Sequence, residues 1–246
     1  MEQAQKPATI RTELPMARSL CWHCESEVTG EYFCERCVKV QPLSKDLDYF
    51  TCLGLPRMLN IDLASLEGAF YKLSRSFHPD FYQAKDPEEQ QISLGNSALL
   101  NTAYRTLKDP VQRAEYLIRL EAGAVKEGKT APPADLFEEI LSLQEDLEEY
   151  RSLAPGDTTE RATQLRRKLR ADRDSLKARQ QEMEQRLFGL FTNWDDRQRQ
   201  AEGKPDANQT MEKQAVLKEM QEILSHRTYV RNIVTDLTET IGEAAG

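Results

Sequence analysis

The sequence predicts an all-α protein: a helical hairpin, then an antiparallel three-helix bundle, with a small zinc-stabilised segment in front of both. Three observations carry this. Apolar residues recur at steps of three and four over residues 63–77 and again over 92–107, flanking His78-Pro79-Asp80. Two cysteine pairs, Cys21/Cys24 and Cys34/Cys37, lie close together ahead of the hairpin. Beyond residue 135 three further apolar stripes follow, each bounded by Pro or Gly.

The amino-terminal segment, residues 1–20, reads as a flexible lead. It holds Lys6, Arg11 and Arg18 beside Glu2 and Glu13, and transit peptides avoid acids, so it gives a mitochondrial presequence little support. Residues 21–42 follow as a metal unit. Two Cys-x-x-Cys pairs separated by nine residues fold back into a tetrahedral set of four thiolates, which suits a structural Zn²⁺ at Cys21, Cys24, Cys34 and Cys37. Two disulfides and an iron-sulfur cluster are the alternatives for the same four residues. Disulfides fit less well, because no signal peptide is evident and Cys52 alone remains elsewhere. His23 stands between better-placed thiols and reads as a bystander. Four thiolates leave no open coordination position, so the unit is structural and not catalytic.

In the hairpin, Leu63, Leu66, Phe70, Leu73 and Phe77 form one stripe on a helix that Asp62 caps. Pro79 ends that helix and pushes His78 out of helical geometry. Asp86-Pro87-Glu88-Glu89 opens the next helix, with Asp86 as cap, Pro87 at the first helical position and Glu89 placed to close a capping box. Ile92, Leu99, Ala103 and Leu107 give this helix its buried face. Pairing the two stripes leaves His78-Pro79-Asp80 exposed on their connection. Lys72 and Arg75 share the polar side of the first helix. With only His23, His78 and His226, and no Ser, Cys or carboxylate constellation beside them, the chain shows no catalytic site.

Gly123, Gly128, Pro132 and Pro133 mark a connection over 121–134. Residues 135–246 then read as three long helices. The first carries Leu136, Ile140, Leu143, Leu147 and Tyr150 and ends near Pro155-Gly156. The second carries Leu165, Leu169, Leu176, Met183, Leu187 and Leu190 and breaks near Gly203-Lys204-Pro205. The third carries Met220, Ile223, Val230, Val234, Leu237 and Ile241. None can bury its stripe alone, so they should pack together. On the first helix Phe137 and Leu141 stand beside the core stripe, with Glu145 and Glu149 continuing that face. Residues 135–154 hold seven acids against the single base Arg151. This reads either as a solvated acidic face with two extra core residues or as a partner surface with an apolar anchor and an acidic flank.

Tyr49-Phe50, Leu53-Gly54-Leu55, Tyr71 and Leu73, His78-Pro79-Asp80, Ala103-Tyr104, Leu107, Asp109-Pro110, Arg113 and Tyr116 together resemble the J-domain over about residues 47–120. With a four-Cys unit in front and three helices behind, residues 21–243 resemble the HscB-type J-protein cochaperones of iron-sulfur cluster assembly. That resemblance implies a cochaperone and not an enzyme. His78, Pro79, Asp80, Lys72 and Arg75 would engage a DnaK-type (HscA-like) chaperone and stimulate its ATPase. Phe137, Leu141, Glu145, Glu149 and Tyr229 would bind the scaffold IscU. Glu138 stands where the family can have a methionine and Ser142 where it can have an acid, and the stretch from Trp194 to Pro205 has no counterpart.

The formal charge of −8, from 33 basic and 41 acidic residues, argues against generic nucleic-acid binding. A competing expectation is a generic J-protein tethered to nucleic acid or the ribosome by the zinc unit and a basic stretch, Arg161, Arg166, Arg167, Lys168, Arg170, Arg173, Lys177 and Arg179. Asp172, Asp174 and Glu182 interrupt that stretch and no aromatics interleave it. No run of residues is apolar enough for a membrane span. The expected compartment is the cytoplasm for a bacterial source, and the mitochondrial matrix or cytosol for a eukaryotic one. The zinc unit is also a candidate surface for homodimerisation.

Overall fold

The computed structural model describes residues 19–28, 32–44, 47–122, 136–154, 157–200 and 207–242. Residues 1–18 of the amino-terminal lead, 123–134 of the connection, Pro155-Gly156 and Gly203-Lys204-Pro205 lie outside the described residues. The chain divides into two compact units, Met1–Tyr116 and Leu117–Gly246. Among the described residues no helix is long and apolar enough to cross a membrane.

The first unit begins with a two-stranded antiparallel ribbon, β1 (Ser19–Leu20) and β2 (Glu27–Val28). A short helix α1 (Tyr49–Cys52) follows, capped by Asp48, whose carboxylate accepts from the Thr51 amide. Gly54 closes it in the left-handed region at φ 66°, a position that favours glycine. The Leu55 amide then reaches the Phe50 carbonyl at 2.8 Å, satisfying one of the orphan acceptors at the helix end.

The helical hairpin consists of α2 (Leu63–Phe77) and α3 (Pro87–Lys108), joined by a 3-10 turn at Pro79–Tyr82. Asp62 and Asp86 cap them as the sequence predicts, Asp62 accepting from the Ala64 and Ser65 amides and Asp86 from Glu89. Phe70 stacks on Tyr104 at 4.2 Å while Ser93 and Ser97 both reach the Phe77 carbonyl, which fixes the helices as antiparallel. Leu66, Leu73 and Phe77 are buried, but Leu63 is exposed because it starts the helix, beyond the reach of its partner. On α3 it is Leu100, and not Leu99, that enters the core. The buried positions Glu89, Ile92, Ser93, Asn96, Leu100, Ala103 and Leu107 keep the three-and-four spacing through polar residues that periodicity of apolar types skips. Glu89 pairs with Lys39 through its side chain, where a capping box was expected.

Helix α4 (Pro110–Ala122) locks the hairpin's open end. Arg113, 6% exposed, donates from Nε to the Leu59 carbonyl at 2.9 Å and from Nη1 to that of Leu107. Tyr116 stacks on Tyr49 at 4.2 Å and its hydroxyl accepts from the Tyr49 amide. Arg113→Ala removes both of these bonds and leaves a void. It is expected to destabilise this unit by about 3 kcal/mol, measurable as a lowered urea midpoint at unchanged slope.

The second unit is built on α5 (Phe137–Ser152), α6 (Glu160–Gln200) and α7 (Ala207–Ile241). Pairs Glu184/Arg227, Arg186/Glu219 and Arg197/Glu212 run in opposite directions along the two long helices and set them antiparallel. Helix α5 lies beside one end only. Leu136, Ile140, Leu143 and Leu147 pack there with Leu169 and Leu176 of α6 and Val230, Val234, Leu237 and Ile241 of α7. Past that end Leu187, Phe191 and Trp194 of α6 and Val216, Met220, Ile223 and Leu224 of α7 are buried as well. The stretch after Trp194, for which the family resemblance offers no counterpart, continues α6 to Gln200. Its Trp194 side chain is fully buried beneath Lys213, whose ammonium stands 4.8 Å from the ring centre.

Candidate functional site

The two sets of candidate residues predicted from the sequence lie in separate units. In the first unit His78 ends α2 with extended backbone, φ −61° and ψ 125°, as Pro79 requires. The His78 Nδ1 accepts from the Asp80 amide at 3.3 Å, and the Asp80 carboxylate lies 3.5 Å from the same nitrogen. The His78 and Asp80 side chains are 51% and 69% exposed, so the loop presents its polar groups to solvent. Phe81 is exposed beside them, its ring meeting the imidazole edge-on at 6.0 Å. Lys72 and Arg75 are exposed on the preceding turns of α2.

The loop is held from behind. The Tyr82 hydroxyl donates to the Ser76 carbonyl at 2.8 Å, and the Ser93 and Ser97 hydroxyls donate to the Phe77 carbonyl at 2.7 and 2.8 Å. These bonds satisfy the carbonyls that a helix end leaves without partners. Sequence reasoning missed both serines, since a hydroxyl on a helix gives no signal until the opposite helix end is placed against it.

The four cysteines come together in the same unit. Their sulfurs all lie within 4.8 Å of one another, with Cys21 to Cys37 and Cys24 to Cys34 each at 3.6 Å. A tetrahedron of thiolates about 2.3 Å from a central ion has edges of about 3.8 Å, so the donor set fits a four-thiolate metal centre. All five cysteines are free thiols in this structure. Each pair sits in a tight turn closed from the residue after its second cysteine, Glu25 amide to Cys21 carbonyl at 3.0 Å and Val38 amide to Cys34 carbonyl at 2.8 Å. Glu25 and Val38 are there forced to φ 57° and 62°, and for a β-branched valine that geometry is strained. The His23 amide and Gln41 Nε2 both reach the Cys21 sulfur at 3.4 Å. Although burial works against it, hydrogen bonds from Ser26 and from backbone amides hold the Cys34 thiol down at about 6. Burial pushes the Cys37 thiol up to about 12. His23 turns its ring against Trp22 and contributes nothing to the donor set.

In the second unit Phe137 and Leu141 are 57% and 51% exposed on α5, with Glu145 exposed one turn on. Glu149 continues the line, but its carboxylate is held by both Nε and Nη2 of Arg161, which lowers its pKa. Tyr229 is only partly exposed and packs on the bundle core. The basic stretch of α6 is neutralised in part: Arg161 pairs with Glu149, Lys168 with Asp146 and Arg173 with Asp174.

Residues 48–116 match the DnaJ domain. The chain is 31% identical over 153 residues to the iron-sulfur cluster co-chaperone protein HscB of Mus musculus, covering 60% of this chain and 65% of that one. It is 34% identical over 129 residues to the corresponding HscB homolog of Arabidopsis thaliana, covering 52% and 51%. The chain therefore spans between about half and two thirds of the length of these relatives. The crystal structure of human co-chaperone protein HscB shares the fold, with a TM-score of 0.62 at 23% identity over 90% of this chain and 98% of that one. An exposed His-Pro-Asp loop on a DnaJ domain, with a four-cysteine cluster before it and a helical unit after it in the chain, thus coincides with these likenesses: the chain carries a DnaJ domain and is similar to the HscB-type J-domain cochaperones.

Proposed function

We propose that this chain stimulates the ATPase of a DnaK-type, HscA-like chaperone through its first unit and delivers the iron-sulfur scaffold IscU to it through its second. One observation carries the reading. A single chain exposes both a His-Pro-Asp loop on a DnaJ domain and, on α5 of the other unit, an apolar pair flanked by acids. Residues 47–120 serve as the J-domain, with His78, Pro79 and Asp80 as the chaperone contact and Lys72 and Arg75 steering its approach. Phe137 and Leu141 anchor the scaffold, Glu145 and Glu149 flank them, and Tyr229 lies at the edge of that face. Zn²⁺ at Cys21, Cys24, Cys34 and Cys37 cross-links residues 21–42 as a structural centre. No bond is made or broken by the chain itself. Holding both partners raises the effective concentration of the second encounter. The cytoplasm of a bacterium, or the mitochondrial matrix or cytosol of a eukaryote, is the corresponding place of action.

ATP turnover by a purified DnaK-type chaperone, with this protein and IscU added separately and together, tests the reading. Synergy between the two is the expected result, and stimulation indifferent to IscU would overturn scaffold delivery. Leu141→Ala is expected to weaken scaffold binding by about 2 kcal/mol, roughly thirtyfold, if Leu141 is a central anchor. Titration calorimetry with IscU measures this directly. Because the Leu141 side chain is half exposed, the melting of the variant should stay within about 0.5 kcal/mol of the parent.

A further inference from the structure

The metal unit and the His-Pro-Asp loop are built against each other. From the segment that carries Cys34 and Cys37, the Tyr32 ring meets Phe77 edge-on at 5.5 Å and the Phe33 ring stacks on the same phenyl at 6.4 Å. Phe77 is fully buried and is the residue immediately before His78. Lys39, two residues beyond Cys37, reaches the Asp86 carboxylate at 2.7 Å and that of Glu89 at 2.6 Å. Asp86 caps α3 and Glu89 lies in its first turn, so Lys39 grips the point where the loop ends. The Gln41 carbonyl accepts from Asn96 Nδ2 at 2.9 Å, and Asn96 Oδ1 takes the Leu43 amide at 2.9 Å, which fixes the exit of the metal unit on α3. Residues 78–85 are therefore suspended between two anchor points, Phe77 and Asp86, and the metal unit touches both.

We infer that Tyr32, Phe33 and Lys39 are positioning residues for the chaperone-contacting loop, so that the four-cysteine centre sets the geometry of His78-Pro79-Asp80 and does more than fold its own segment. The segment has few apolar contacts of its own: its buried core is Cys21, Val28 and Cys34, with Cys24 and Cys37 packed on it. Its rigidity comes from the cross-link at the sulfurs, and the two aromatic rings and the ammonium pass that rigidity to the ends of the loop. Loss of the cross-link releases Tyr32 and Phe33 from Phe77 and Lys39 from Asp86 while leaving α2 and α3 joined by their own core. The inference about stimulation rests on the proposed J-protein activity; the inference about geometry does not.

Hydrogen exchange on the full-length protein, read beside chaperone ATP turnover, tests both. Lys39→Gln leaves the core untouched, and Phe33→Leu keeps an apolar side chain against Phe77. In each, with four-thiolate metal binding verified by the cobalt charge-transfer spectrum, amides of residues 78–90 are expected to exchange about threefold to tenfold faster. Amides of α5 should be unchanged. Maximal ATPase stimulation should fall by a similar factor with IscU affinity unaltered. Tyr32→Phe, which keeps the ring, should behave as the parent, and chelation of the parent should reproduce the loop exchange of Phe33→Leu. Parent-like exchange at 78–90 in both Lys39→Gln and Phe33→Leu overturns the positioning role, as does chelation that leaves those amides protected. Should the parent fail to stimulate any DnaK-type chaperone, the proposed function fails while the exchange data still decide the coupling.

Discussion

His78→Gln is expected to abolish ATPase stimulation while leaving the fold and scaffold binding intact. The imidazole is half exposed, and its recorded partners among the described residues lie in its own loop: it accepts from the Asp80 amide and meets the Phe81 ring. It belongs to neither apolar stripe of the hairpin, and a glutamine carbonyl can take over the bond to the Asp80 amide. A stability change beyond about 0.5 kcal/mol is therefore not expected. What glutamine cannot supply is the rigid ring, fixed by proline on one side and a helix end on the other, that the loop offers to a partner. Steady-state turnover by the chaperone across a range of variant concentrations, alongside thermal melting and IscU binding, checks the prediction. Turnover that matches the parent at saturating variant would remove His78 from the chaperone contact.

Cys34→Ser is expected to produce the largest loss of structure. Structural zinc centres contribute roughly 10 to 16 kcal/mol of apparent binding energy, far more than the small cluster of Cys21, Val28 and Cys34 could supply. Glu25 and Val38, held at positive φ in the two tight turns, cost on the order of 1 to 3 kcal/mol each, a cost that a metal cross-link at the sulfurs would offset. The described residues of 19–28 and 32–44 should accordingly lose amide protection in Cys34→Ser, and the zinc proposed for the parent, one per chain, should fall to near zero in the variant by mass spectrometry under native conditions. α5, α6 and α7 should keep parent-like protection. Retention of stoichiometric zinc in the serine variant would show that the four sulfurs do not act as one donor set. An iron-sulfur cluster at the same residues would announce itself by visible absorption in the anaerobically purified parent.

The legible features of this chain are those that depend on neighbours in sequence. Proline fixes its own φ and restricts the residue before it, so the end of α2 at Phe77 and the extended His78 follow from Pro79 alone. Capping is equally local, and Asp62 and Asp86 act as their positions require. Cysteine spacing names a donor set because two residues between thiols is the loop that returns the second sulfur to the first. The apolar stripes of α5 and α7 were readable for a related reason: their core faces contain almost nothing but Leu, Ile, Val and Met, so period and composition agree.

What the tertiary structure decided is where two distant segments meet, and there residue type was a poor guide. Ser93, Asn96 and Ser97 lie on or beside the core face of α3 because the end of α2 and the exit of the four-cysteine unit present bare carbonyls and an amide at that point. Leu99 looked the better core residue than Leu100, but the direction from which α2 approaches turns Leu100 inward and leaves Leu99 half-buried. Glu149, read from α5 as a free acid, is occupied by Arg161 twelve residues on, across the turn into α6. The contact of Tyr32 and Phe33 with Phe77 spans some 45 residues and follows no periodicity at all. Hydrogen-bond satisfaction and ring packing are properties of pairs, and a sequence states only one partner at a time. The sequence by itself determined the helices, their caps, the four clustered cysteines and the loop; only the folded chain determined that the four-cysteine unit stands against the two ends of that loop.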